Sequence, residues 1–126
     1  MERVNNGSLS TTKYTTVYKG EIPEGELVPD TYVVVKTPVN DAARGALDTI
    51  CTVKFQCGPI KEAGVNGVAN EDLINMVIDR LKGFQNSKYA CEENAEALKH
   101  FQEGLMWLRK RTLDRELRGV EGTNKI

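Results

Sequence analysis

The spacing of apolar positions changes midway along this chain. Between Tyr14 and Gly58 they come in short β-branched and aromatic runs separated by turn residues. "YTTVYKG" (14–20), "TYVVVKTP" (31–38) and "ICTVKFQCG" (50–58) each read as a strand. The last alternates Ile50, Thr52 and Lys54 against Cys51, Val53 and Phe55. Pro23, Gly25 and Pro29 mark turns between the first two, Pro38 stops the second, and "NDAARGALDT" (40–49) fits a short helix or a loop equally. The loop "GPIKEAGVNGV" joins this half to the next.

From Asn70 the period becomes helical. Leu73, Val77, Leu81 and Phe84 recur at three- and four-residue spacing, widened by Ile74 and Ile78. Asn70 is a candidate cap, and Glu71 and Asp72 suit the positive first turn of a helix. After "QNSKYA" a second helix begins near 91–94, with Ala97, Phe101, Leu105, Leu108 and Thr112 on one face and Leu98 and Trp107 beside it. Gly119 suits its C-terminal end, which makes it about 25 residues and about 38 Å long at 1.5 Å per residue.

The pattern predicts an α+β fold in one domain, 1–126: a small antiparallel β region (13–68), a two-helix hairpin with a long second helix (70–119), and polar tails at 1–12 and 120–126. The first helix is too short to cover the second. Residues 109–118, with Leu113 and Leu117, therefore project beyond their partner and need a cover, either the β region or a second copy of the chain.

Charge sharpens this picture. The stretch Leu108–Gly119 holds Arg109, Lys110, Arg111, Arg115 and Arg118 against Asp114 and Glu116, a sum of +3, while the whole chain sums to −1. With a pI near 5.9 the chain is not a general binder of DNA or RNA. A local cluster suits one or two phosphates. Arg111, Arg115 and Arg118 fall on one helical ridge, either as a solvated face with local pairs such as Arg111–Asp114, or as forks for phosphate.

Phe84 and Asn94 flank the hairpin turn and together offer stacking and an amide edge for a purine base. Core packing and helix capping are their simpler uses. Asn94 and Arg111 lie 17 residues apart on one helix, about 25 Å. If both hold one small ligand, they come from different subunits of a two-fold dimer with two pockets.

Catalytic apparatus and cofactor motifs are not visible: no metal-ligand spacing, nucleophile elbow or phosphate-binding glycine loop stands out. His100 reads as a solvated helix residue. Cys51, Cys57 and Cys91 read as reduced thiols of a cytosolic protein, with no secretion signal and no membrane span.

The run "EENAEALKHFQEGLMWLRKRT" followed by "DRELRGVEGTNK" resembles the helical-hairpin domain shared by phage anti-CBASS and anti-Thoeris sponge proteins. The upstream "VVVKTP…TVKFQCGPIKEAGVNGV" is similar to the β region of the Thoeris anti-defence branch, so the resemblance spans roughly residues 14–125.

It implies a non-catalytic phage protein in the cytoplasm of an infected bacterium. Such a protein sequesters glycocyclic ADP-ribose, a cyclic ADP-ribose-type immune signal, without cleaving it. It also implies dimers or trimers of dimers with pockets at subunit interfaces, and in some members separate sites for CBASS cyclic oligonucleotides. The implied ligand residues are Phe84 and Asn94 at the base and ribose, and Arg111 and Arg115, with Arg109 as a companion, at the phosphates.

Overall fold

The computed structural model describes residues 1–37 and 48–126. Within the ambiguous stretch 40–49, residues 40–47 lie outside the described residues. The chain forms two compact units, Met1–Gly58 and Pro59–Ile126.

The first unit is an antiparallel sheet of four strands in the order β1 (Glu2–Arg3), β2 (Thr15–Lys19), β3 (Thr31–Lys36) and β4 (Thr49–Lys54). Three of these lie where β-branched runs predict them. β1 comes from the polar leader, with Glu2 opposite Lys19 and Arg3 opposite Tyr18.

The buried side chains of the sheet are cross-strand partners, Thr16 on β2 and Val35 on β3. The buried Thr16 hydroxyl pairs with that of Thr37, so a polar atom goes under cover without losing its hydrogen bond. Between β3 and β4 the register slips at Val34/Val35: Cys51 faces Val34 but Thr49 faces Val35, which leaves Ile50 as a bulge. Beyond β4, Phe55 meets Tyr32 edge to face, centroids 5.5 Å apart.

The second unit opens with the single-turn α1 (Ile60–Ala63) and continues with α2 (Asn70–Gln85) and α3 (Glu92–Leu117). Asn70 is the first helical residue rather than the cap. The capping position belongs to Ala69, whose N–H donates to the Asp72 carboxylate at 2.8 Å; this is the half of a capping box that needs no polar side chain at the cap.

α2 and α3 pack together as the predicted unequal hairpin, with Ile78 the buried residue of α2 and none in α3. At the far end of α3 Gly119 adopts φ +72°. Its N–H bonds the Glu116 carbonyl, and the Val120 N–H bonds the Arg115 carbonyl, both at 3.0 Å. This is a Schellman cap, and it requires the left-handed conformation glycine adopts without strain.

Candidate functional site: a basic groove and an aromatic turn on one helical hairpin

α3 has ten more residues than α2, and its last turns carry the basic ridge. There Trp107, Lys110, Arg111, Asp114, Arg115 and Arg118, with the exposed Ile126, line an open groove of about 410 Å³. The helical period does the gathering: positions 107, 111, 115 and 118 stand on successive turns of one face.

Four cations against one carboxylate give this groove a positive field suited to a small anion. The carboxylate is spoken for. Asp114 bonds Lys110 at 2.8 Å, not Arg111, so the Arg111–Asp114 pair considered from the sequence is replaced by Lys110–Asp114. Both are i, i+4 or i, i+3 neighbours of Asp114, and lysine takes the i, i+4 place.

Arg115, half-buried, makes no ion pair with Glu116. Its Nη1 donates to the Lys125 carbonyl at 2.8 Å, and its Nη2 to the Val120 and Thr123 carbonyls at 3.0 Å each. Arg118 Nη1 donates to the Ile126 carbonyl oxygen at 2.6 Å. Residues 120–126 are thus drawn back along the end of α3.

The second cluster lies at the turn. Gln85, the last residue of α2, pairs its side-chain amide with the backbone of Cys91, as donor to the carbonyl and acceptor from the N–H, both at 3.1 Å. Ser87 adds Oγ–H donation to the Phe84 carbonyl at 2.6 Å. This fixed turn presents Phe84, 42% exposed, with the Arg80 guanidinium 5.7 Å from its ring centroid.

Asn94 is the third residue of α3, half-exposed in the first turn, where backbone N–H groups have no partner within the helix. The structure therefore brings Arg111 and Arg115 together in the groove and places Phe84 and Asn94 at the opposite end of the hairpin. Arg109 is exposed and outside the groove lining.

The sequence reading did not assign Trp107, Lys110 or Tyr89 to the site. Trp107, 64% exposed, stands one turn before Arg111, and that i, i+4 spacing was the available sign. Tyr89, equally exposed, tops the turn beneath Lys88. Elsewhere on α3 His100 sits in solvent between Glu96 and Glu103, at 3.7 and 3.6 Å. Among the described residues no cluster of histidine, cysteine and carboxylate is arranged to hold a metal ion, and no helix is long and apolar enough to cross a membrane.

Residues 48–113 match the Acb2/Tad1 hairpin domain, and the chain belongs to that family. Over 76 residues it is 60% identical to Thoeris anti-defense 1 of Bacillus phage SBSphiJ7. That alignment covers 60% of this chain and 54% of the phage protein, little more than half of the relative's length.

Proposed function

We propose that the chain is a phage-encoded sponge that captures glycocyclic ADP-ribose in the cytoplasm of an infected bacterium and so blunts Thoeris defence. The name of the relative supports the pathway, and the family match covers α2 and most of α3, on which the two clusters lie. In this reading the signal is held intact, with no cofactor or metal. Arg111 and Arg115 meet the diphosphate, Arg109 adds charge at the rim, Phe84 stacks on adenine and Asn94 bonds polar edges.

The observation that carries the reading is the separation of the two clusters along one uninterrupted helix. Asn94 and Arg111 are about 25 Å apart at 1.5 Å per residue. A single small nucleotide reaches both only if they come from two chains, with long helices crossing antiparallel in a homodimer.

Exposed apolar residues on the same hairpin give that dimer a reason to form. Phe101, Met106, Trp107, Leu113 and Leu117 all face solvent in the single chain. Burial of the ligand between subunits slows its release, as stoichiometric capture needs. A trimer of dimers, and separate sites for cyclic oligonucleotides of the CBASS type, extend the same reading.

The experiment is a thermal-shift screen against glycocyclic ADP-ribose isomers, cyclic ADP-ribose and cyclic oligonucleotides. Ligand at about 1,000 times Kd stabilises the folded state by roughly 4 kcal/mol. A large shift with a glycocyclic isomer, and chromatographic recovery of that isomer unchanged from denatured protein, is the expected result. No shift with any of these nucleotides overturns the proposal, and recovery of a cleaved product replaces it with an enzyme.

A further inference from the structure

Arg115 is oriented by backbone carbonyls, and that choice of partner has a chemical meaning. A carboxylate would fix the guanidinium and cancel its charge. Three neutral carbonyls fix it and leave the charge whole. We propose that residues 120–125 form a strap that aims Arg115 at an anion in the adjoining groove, so that the strap is a positioning element of the binding site. The inference rests on the reading that Arg115 contacts the diphosphate.

The strap is itself a built structure. It starts at the Schellman cap of Gly119 and turns again at Gly122, φ +74°. The Gly122 carbonyl accepts the Lys61 N–H at 3.0 Å, and a Cβ placed on Gly122 would lie 3.1 Å from Lys61 Cγ. The Thr123 N–H donates to the Val120 carbonyl, as does the Thr123 hydroxyl. Each bend thus turns a carbonyl toward Arg115.

Of the five N–H donors on a guanidinium, the strap takes both on Nη2 and one on Nη1. Nε–H and the second Nη1–H are left for a ligand. Arg118, bonded to Ile126, ties the residue that follows the strap to the same groove. Holding the long side chain in advance removes rotamer entropy that binding would otherwise have to overcome.

The test titrates inorganic pyrophosphate into the full chain, into a chain lacking residues 121–126, into Gly122→Val, into Arg115→Ala, and into each strap change combined with Arg115→Ala. Circular dichroism reports whether the helices persist, and Gly122→Val decides the matter if the shortened chain loses them. The expected result is pyrophosphate binding by the full chain, weakened about tenfold by either strap change or by Arg115→Ala, with no further loss in the combinations. The Arg115 Nε–H resonance should be sharp in the full chain and broadened in both strap variants.

Unchanged or tighter binding in the strap variants, losses that add to that of Arg115→Ala, or no pyrophosphate binding by the full chain each overturn the proposal. Binding of pyrophosphate without binding of any cyclic ADP-ribose isomer instead removes the proposed signal and leaves the strap standing.

Discussion

Gln85 and Cys91 close the hairpin turn on each other, the side-chain amide of one matching both polar groups of the other's backbone at 3.1 Å. The amide stands in for a peptide unit, as though a further strand lay across the turn. α2 ends on one partner, and the other immediately precedes α3, so the pairing sets where the two helices meet.

Gln85→Leu removes both bonds while keeping the bulk. We expect a loss of about 1 kcal/mol, the usual net worth of such hydrogen bonds near the surface, seen as a lower urea midpoint at fixed protein concentration. Gln85→Glu keeps the acceptor and should fall between. A leucine variant as stable as the parent would show that the pairing does not hold the turn.

Phe84→Ala should weaken nucleotide binding by about 1–3 kcal/mol, the range for loss of one stacked base, and leave helicity unchanged. Arg111→Ala should weaken it by a similar amount, about 1–3 kcal/mol for a lost charge-assisted contact. Calorimetry checks both. Affinity equal to the parent's in either variant removes that residue from the site.

The two variants also complement one another. Pure Phe84→Ala and pure Arg111→Ala dimers each have two damaged pockets. A mixed dimer has one pocket with both changes and one with neither. Mixing and re-equilibrating the two proteins should restore parent-like affinity at one of the two pockets in each mixed dimer. No recovery would mean that Phe84 and Arg111 do not meet across a subunit interface.

In the sheet, Lys54 donates to Asp30 at 2.6 Å and the Thr31 hydroxyl donates to it at 3.0 Å. These bonds hold the Asp30 carboxyl below its ordinary value, and the Asp30 bond raises the Lys54 ammonium above its own. The Asp30 contribution to stability is therefore complete above about pH 3.9 and fades as acid passes through its lowered value. The Lys54 contribution is complete below about pH 10.4 and fades as alkali passes through its raised value. Asp30→Asn should flatten the acid limb of a melting-temperature profile; an unaltered limb would assign it to other carboxyls.

Gly119→Ala forces a Cβ into a left-handed position and should destabilise the chain by about 1 kcal/mol, read by denaturant unfolding. If alanine is tolerated without loss, the Schellman cap does not contribute as described.

Periodicity made most of this fold legible. The stripe Leu73–Ile78–Leu81 could only bury itself as a helix, and Val33–Val35 between turn residues could only be a strand. The cap of α2 was displaced by one residue because Asp72 works through the Ala69 backbone, which has no side-chain signature. β1 was invisible because Glu2 and Arg3 are two charged residues with no β-branched or aromatic run, held by backbone pairing and a 4.0 Å contact of Glu2 with Lys19 across the strands.

The arginine ridge was legible from its spacing, but the partners of Arg115 were not. All three are carbonyls, and every residue type carries one. The Lys110–Asp114 pair was similarly hidden, since the sequence offers Asp114 both Arg111 and Lys110 at helical distance.

The unbroken course of α3 from Glu92 to Leu117 has a consequence for how this chain tolerates change in length. A continuous helix turns about 100° per residue, so it transmits angle as well as distance. One residue inserted between Phe101 and Trp107 would swing the whole basic ridge about 100° away from its bearing on the turn, with every side chain still present. Seven inserted residues would nearly restore the bearing but add about 10 Å of reach. If the two groups meet one ligand as proposed, an insertion or deletion in the middle of α3 should therefore cost binding more than a substitution there, because the helix sets both their phase and their span.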